Sequence, residues 1–327
     1  MTATLKVIFA GPYISFQDAG RPGNLRWGVP CSGPMDRLAH AAAHASVANP
    51  LDATAIEVSR GGLILECVSG SITVAVTGGD FTESWNARSL RPGDRLAVHP
   101  QQHGSWAYVA FAGVINAAEW LGHSATHSRS GFGGGALRTG DTISVREADV
   151  RPDREGEIPQ LVIDDAPDEI RVVLGPQDHH FDPAAVEVFS STTYHLSDAY
   201  DRMGVRLEGA ELPLREALSI PSEPIIRGSV QVGGDHVPTV LLADHQTTGG
   251  YPKIATIITP DLDRFAQKRS GEPVQFMPIS STEAIAASRE YHNAVEAYLA
   301  LVASPGRTLS HRLMQENLIG LAPPPEV

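Results

Sequence analysis

The stretch from Leu242 to Ala255 concentrates more chemically active side chains than any other part of the chain. An apolar run, Val240-Leu241-Leu242-Ala243, is followed by Asp244-His245-Gln246-Thr247-Thr248-Gly249-Gly250-Tyr251-Pro252-Lys253. A surface loop does not need that variety; a site does. Gly249 and Gly250 let backbone approach a ligand closely. Gln246, Thr247, Thr248 and the loop amides offer donors for a carboxylate, a lactam or a phosphate, and Lys253 adds a cation at a point fixed by the Gly-Gly-Tyr-Pro turn. Lys253 is one of only three lysines, with Lys6 and Lys268, beside 22 arginines. The motif is not a phosphate-binding P-loop, because Ile254 rather than Ser or Thr follows the lysine. Just upstream, Ser229 and Gln231 share one face of a predicted strand. A rigid hairpin turn is the competing reading of the loop.

Other polar clusters are weaker. Gln17-Asp18-Ala19-Gly20-Arg21-Pro22-Gly23 runs on to Ser32-Gly33-Pro34-Met35-Asp36. Asp18 and Arg21 suit a buried pair that holds this loop, and Ser32 or Asp36 suits the cap of the helix after it. The same residues could instead wall a ligand site. Asp201 and Arg202 suit a turn anchor, with Arg202 able to bind a carboxylate through two parallel hydrogen bonds. His179 and His180 are adjacent, so on extended chain they point apart and suit no shared metal; a structural or substrate-contacting role fits His179 better. His40 and His44 share a predicted helix face, but no Glu lies between them as in a zinc-protease helix. No metal site is expected. Gly131-Phe132-Gly133-Gly134-Gly135 reads as a flexible connection.

The elements that must position these groups are mostly strands. Gly 31 and Pro 24 in 327 residues, with 6% aromatics, point to many turns and short strands. Alternation predicts strands at 63–67, 71–77, 106–111, 142–145, 170–174, 230–232, 239–242, 254–259 and 274–277. Helices are predicted at 35–48, just after Asp182-Pro183, at 261–267 and at 281–302. The last opens with Ser280 and Glu283 at capping-box spacing. A charged, Pro- and Gly-broken stretch at 150–159 reads as a linker. The chain therefore reads as mainly β (β-rich α+β). It divides into an N-terminal β-rich domain at 1–155, a C-terminal β-barrel domain at 160–280, and a helix and frayed tail at 281–327.

Net charge is −13, which disfavours a nucleic-acid partner. No apolar run is long enough to span a membrane, and the N-terminus lacks a secretory signal. Two cysteines make neither a disulfide framework nor a zinc knuckle. A cytoplasmic location is expected.

Several motifs occur in one order. They are Gln17-Asp18-x-Gly20-Arg21-x-Gly23, Gly28-Val29-Pro30-x-Ser32-Gly33-x-Met35-Asp36, Gly175-Pro176-Gln177, Asp201-Arg202-Met203-Gly204-x-Arg206-Leu207-x-Gly209 and Gln246-Thr247-Thr248-Gly249-Gly250-Tyr251-Pro252-Lys253-Ile254-Ala255. This set resembles the KipA family, also called allophanate hydrolase subunit 2 or the biotin-dependent carboxyltransferase family, over roughly residues 5–290. The resemblance implies two cyclophilin-like β-barrel-type domains. It also implies a KipI-like partner subunit and often a third subunit of the LamB/YcsF type. Such assemblies resemble the ATP-dependent 5-oxoprolinase, which opens a small cyclic amide, 5-oxoproline, to glutamate, with ATP used by the complex as a whole. Other relatives form the carboxyltransferase part of urea carboxylase, where carboxybiotin is the donor, and a third implied role is regulation of a KipI-like kinase inhibitor.

No methionine here adjoins a lysine, so any biotin arrives on another chain. Gly113-Val114 stands where the family pattern has two glycines, and 123–135 is shorter and richer in His; both departures bear on the substrate. On this reading Lys253, Tyr251 and Gln246 are catalytic. Thr247, Thr248, Gly249, Gly250, Ser229, Gln231, Arg202 and His179 contact substrate, and Asp18, Arg21 and Asp36 form a scaffold or a wall.

Overall fold

A computed structural model describes residues 1–161, 168–215 and 220–305. The expected frayed tail lies outside the described residues. The N-terminal half carries strands β1 (Ala3–Ala10), β2 (Ser15–Gln17), β3 (Ala55–Ser59), β4 (Leu63–Ser69), β5 (Ile72–Thr77), β6 (Asn86–Leu90), β7 (Arg95–Val98), β8 (Trp106–Phe111), β9 (Val114–Ile115), β10 (Thr142–Arg146) and β11 (Gly156–Glu157). They form two sheets, ordered β7-β4-β1-β10-β9 and β11-β6-β5-β8-β3-β2. Leu5, Val7, Leu63, Leu65 and Val145 from the first sheet meet Val58, Val74, Val76, Val109 and Phe111 from the second in one core.

Strands β5 and β8 are buried along their whole length. Their second face, with Ala75, Tyr108 and Ala110, is covered by helix α1 (Arg37–Ser46). Ala39, Ala42 and Ala43 of α1 are small enough to let the helix approach the sheet closely. The Asp36 carboxylate caps this helix, accepting from the Ala39 N–H at 2.8 Å.

The C-terminal half carries β12 (Glu169–Leu174), α2 (Pro183–Ser191), β13 (Thr193–Tyr200), β14 (Gly204–Glu208), β15 (Glu223–Pro224), β16 (Ser229–Val232), β17 (Pro238–Leu241), β18 (Thr248–Gly249), β19 (Lys253–Ile257), α3 (Thr259–Gln267), β20 (Pro273–Pro278) and α4 (Ser281–Ala303). Seven strands close a barrel in the order β12-β19-β16-β17-β14-β13-β20. Closure comes from a parallel pairing of β12 with β20. Val172, Leu196, Val205, Val230, Val240, Ile257 and Phe276 belong to its apolar core. The mainly β reading holds. The closed barrel belongs to the C-terminal half, whereas the N-terminal half is built as two facing sheets.

One local expectation changes. The stretch expected as a linker is tied down: β11 pairs with β6, Gly156 opposite Ala87, and Ile158 is buried beside it. Asp182 is the N-cap residue of α2, with Pro183 in the first turn; its carboxylate makes no cap hydrogen bond and pairs with Arg215 at 2.9 Å. The capping box of Ser280 and Glu283 is present at the start of α4.

The two halves meet on a buried charge cluster. Arg202, 1% exposed, donates to both oxygens of Asp244 at 2.9 and 3.1 Å, to Glu57 on β3, and to the Gly33 carbonyl at 2.6 Å. Tyr108 donates to Glu57 at 2.8 Å and accepts from the Asp36 N–H at 2.7 Å. Burial pushes the Asp244 carboxyl up, and the Arg202 charge and hydrogen bonds more than reverse this, leaving it below the usual range. Such a cluster is costly to break, because removing one partner strands a buried charge.

Two outcomes are expected. Arg202→Met keeps the stem and removes the charge, leaving two buried carboxylates without a cation. Urea unfolding should show a loss of about 3–5 kcal/mol; a loss under about 1 kcal/mol, typical of a surface change, would contradict the cluster's role as the joint. The second concerns His40, which burial pushes down to about 4, with His44 beside it pushed well down by burial and by His40. The unfolded imidazole titrates near ~6.5, so between about pH 6.5 and 4 the unfolded chain binds the extra proton and stability falls with falling pH. Asp36, raised to about 7 by burial and by the Asp263 charge, acts with opposite sign in a similar window. The His40 contribution therefore shows as a difference: His40→Gln should flatten the acid-side loss by up to about 1.4 kcal/mol per pH unit, and identical slopes would refute it.

Candidate functional site

The polar loop begins where β17 leaves the barrel. Asp244, its first residue, is fixed by Arg202 and by the Ser128 N–H at 2.9 Å, so the root of the loop is part of the buried joint. The loop then forms a small antiparallel pair, β18 against β15, with Gly249 opposite Glu223. Two backbone bonds reinforce it, Ile225 N–H to Thr247 O at 3.0 Å and Ile220 N–H to Gly250 O at 2.7 Å. A Cβ on Gly249 would come within 2.4 Å of Ile225 Cδ1. The close approach that glycine allows here is to the chain's own Ile225.

A cavity of about 570 Å³ opens beside this loop, lined among others by Asp201, Met203, Arg206, Gln231, Asp235, Gln246 and Tyr251. Gln246 Nε2 donates to Gln231 Oε1 at 3.3 Å, and Gln231 Nε2 to the Tyr251 carbonyl at 3.4 Å. Arg206 and Asp235 form an exposed pair at 2.7 Å. Burial pushes the Asp235 carboxyl up, and the Arg206 hydrogen bond, the Val237 N–H and the Arg206 charge together more than reverse this, leaving it below its usual range. Carboxamides supply donor and acceptor together, matching an amide, and a guanidinium matches a carboxylate.

Of the residues predicted from sequence, Gln231, Gln246 and Tyr251 line this cavity together. Lys253 lies behind its wall, opposite Gln231 in the strand register. It is buried, which excludes a freely solvated cation. Its ammonium stands 3.8 Å from Glu223. Thr247, Thr248, Gly249 and Gly250 shape the loop without lining the cavity.

The structure separates the other candidates. Ser229 is buried on β16 opposite Thr256. His179 is exposed in a short 3₁₀ turn, its ring 4.3 Å from His180. Arg202 is spent on Glu57 and Asp244, so it joins the halves and does not face the cavity. Asp18 and Arg21 do not form the expected pair. Asp18 accepts from the Gly20 and Ser124 N–H groups at 2.8 and 2.7 Å. Arg21 donates to the Ala125 carbonyl and lies over the Trp120 ring at 5.3 Å. Asp36 takes Gln267 as a second partner at 2.8 Å. All three have partners within the fold. Among the described residues, no three His, Cys, Asp or Glu side chains converge as a metal site would require.

Sequence reasoning passed over Gln177, Glu223, Arg206, Asp235, Glu57 and Tyr108 as site or joint residues. Gln177 and Arg206 stand inside the ordered motifs. Glu57 carried a signal too, an acid in the middle of the strand Ala55-Ile56-Glu57-Val58-Ser59.

Residues 27–278 match the family model described as carboxyltransferase domain, subdomain A and B, and the chain belongs to that family. It is 34% identical over 298 residues to the C subunit of 5-oxoprolinase of Escherichia coli (strain K12), covering 88% of this chain and 94% of that one. It is 29% identical over 309 residues to the urea amidolyase of Lachancea kluyveri, covering 84% of this chain but 17% of that protein. The crystal structure of Kluyveromyces lactis urea carboxylase superposes with a TM-score of 0.79 over 94% of this chain and 30% of that one, at 23% identity, which supports the fold.

If the first loop is scaffold, Asp18→Ala should lower stability by about 1–3 kcal/mol, because two buried N–H groups lose their acceptor. Asp18→Asn, which keeps an oxygen, should lose less. Unchanged melting of both variants would make this loop a site wall after all.

Proposed function

We propose that this chain is the C-type subunit of an ATP-dependent 5-oxoprolinase, in which the lactam C–N bond of 5-oxoproline is opened to give glutamate. The observation that carries the reading is the extent of the match: it spans 94% of the E. coli 5-oxoprolinase chain, but only 17% of the urea amidolyase. The cavity chemistry supports it. Gln231 and Gln246 present amide donors and acceptors to a lactam. ATP acts in the assembled complex, with KipI-like and LamB/YcsF-type subunits as the partners that the family resemblance implies.

A second reading is supported by the description of the family as a carboxyltransferase domain. In that case carboxybiotin arrives on another chain and a urea-like amide accepts the carboxyl group. Both reactions develop negative charge on a carbonyl-derived oxygen, and both need fixed donors beside it.

The purified chain alone should show no ATP-dependent hydrolysis of 5-oxoproline, and adding the partner subunits should restore it. Turnover by the isolated chain would sink the subunit assignment, and biotin-dependent carboxylation of urea by the complex would favour the second reading. In the active complex, Lys253→Met should reduce turnover by on the order of 100-fold, the scale of losing one fixed donor at a catalytic site. Near-normal turnover with normal assembly would make Lys253 a structural residue.

A further inference from the structure

Lys253 is a buried cation with an incomplete shell. Its side chain is 3% exposed, and no hydrogen bond reaches Nζ among the described residues. Glu223 Oε2 stands 3.8 Å away, beyond hydrogen-bonding reach. The same oxygen accepts a hydrogen bond from Gln177 Nε2. Gln177 is 5% exposed and is locked to the barrel at both levels. Its Oε1 accepts the Lys253 backbone N–H at 3.1 Å, and its own N–H donates to the Lys253 carbonyl at 3.2 Å. Two rigidly held donors, one of them charged, thus converge on a single carboxylate oxygen.

The carboxylate belongs to a different kind of element. Glu223 is 49% exposed and stands on the two-residue strand β15, outside the barrel. A pair built for stability would close to the ~2.7–2.9 Å of a charge-assisted hydrogen bond. Here the acid stays half solvated and stops short. Leaving a buried ammonium without a hydrogen bond is costly, and a free carboxylate that reached it would remove that cost. Glu223 would lose little by leaving, because water would take over its solvation. The position adjoins the cavity wall, since Gln231, which lines the cavity, is the strand partner of Lys253.

The geometry points to a carboxylate-binding site at Lys253 Nζ and Gln177 Nε2, in which Glu223 is an exchangeable resident that a ligand's carboxylate displaces. The ligand class is a small monocarboxylate. In the proposed reaction that is the carboxylate carried by 5-oxoproline, so the inference deepens that reading and rests on it for the identity of the ligand.

The chain has only three lysines, which makes the test direct. The full-length protein is methylated reductively with formaldehyde and a borohydride reagent in a buffer free of carboxylates. Modification of Lys253 is then read by peptide mass spectrometry relative to the exposed Lys6 in the same sample. Glu223→Gln should speed Lys253 modification by on the order of five-fold, the size of a half-exposed ion pair. Millimolar 5-oxoproline or acetate should restore protection, and chloride at equal ionic strength should not. Glu223→Asp, which withdraws the carboxylate by one methylene, should fall between the two and covers the case of a poorly folded Gln variant. Unchanged modification in both variants would overturn the proposal, as would protection by acetate no greater than by chloride. The arms separate the two readings. Protection by acetate without lactam opening in the assembled complex would leave this site standing and remove the 5-oxoprolinase reading. Lactam opening without protection would do the reverse.

Discussion

One guanidinium holds this molecule in register. Arg202 leaves the turn between β13 and β14, enters the joint between the two halves, and is met there by Asp244 from the barrel and Glu57 from the N-terminal sheet. A buried arginine cannot shed its charge, and burial alone would disfavour it; the two carboxylates reverse that and hold it charged. Each acid is tied in turn. Glu57 accepts from Tyr108 and from the Met35 N–H at 2.8 Å, just before α1. Asp244 accepts from Ser128 in the long N-terminal loop. Four chain segments distant in sequence are therefore positioned by one side chain, and the polar loop starts at one of its ligands.

That arrangement explains how the barrel presents a polar wall. The loop root cannot move without opening a charge cluster, so Gln246 is delivered next to Gln231, and Tyr251 follows at the cavity edge. Gln231 and Lys253 then belong to adjacent strands, one lining the cavity and the other just behind it. The chemistry divides accordingly, with neutral amide groups in front and an incompletely satisfied cation behind. On the 5-oxoprolinase reading, the two would serve the lactam and the carboxylate of one small substrate.

Much of the fold was legible because side-chain period reports burial. The half-buried strands β4, β12 and β20 alternate, and the capped ends of α1 and α4 announce themselves by Asp36 and by Ser280 with Glu283. The site was legible in part, through the crowding of polar residues after an apolar strand and through the motif resemblance. What escaped depends on long-range pairing. Arg202 reads as a ligand contact in sequence because nothing local reveals that Glu57, 145 positions away, is its partner. Asp18 and Arg21 lie three positions apart and suggest a pair, yet backbone groups from 124 and 125 claim both. Glu223 stands in none of the ordered motifs and acquires meaning only when β15 folds against β18.

The most direct test of this account is a crystal structure of the assembled complex containing 5-oxoproline. The account predicts the lactam against Gln231, Gln246 and Tyr251, the ligand's carboxylate on Lys253 and Gln177, and Glu223 turned out to solvent. A ligand bound away from the barrel cavity, with Glu223 still facing Lys253, would contradict it.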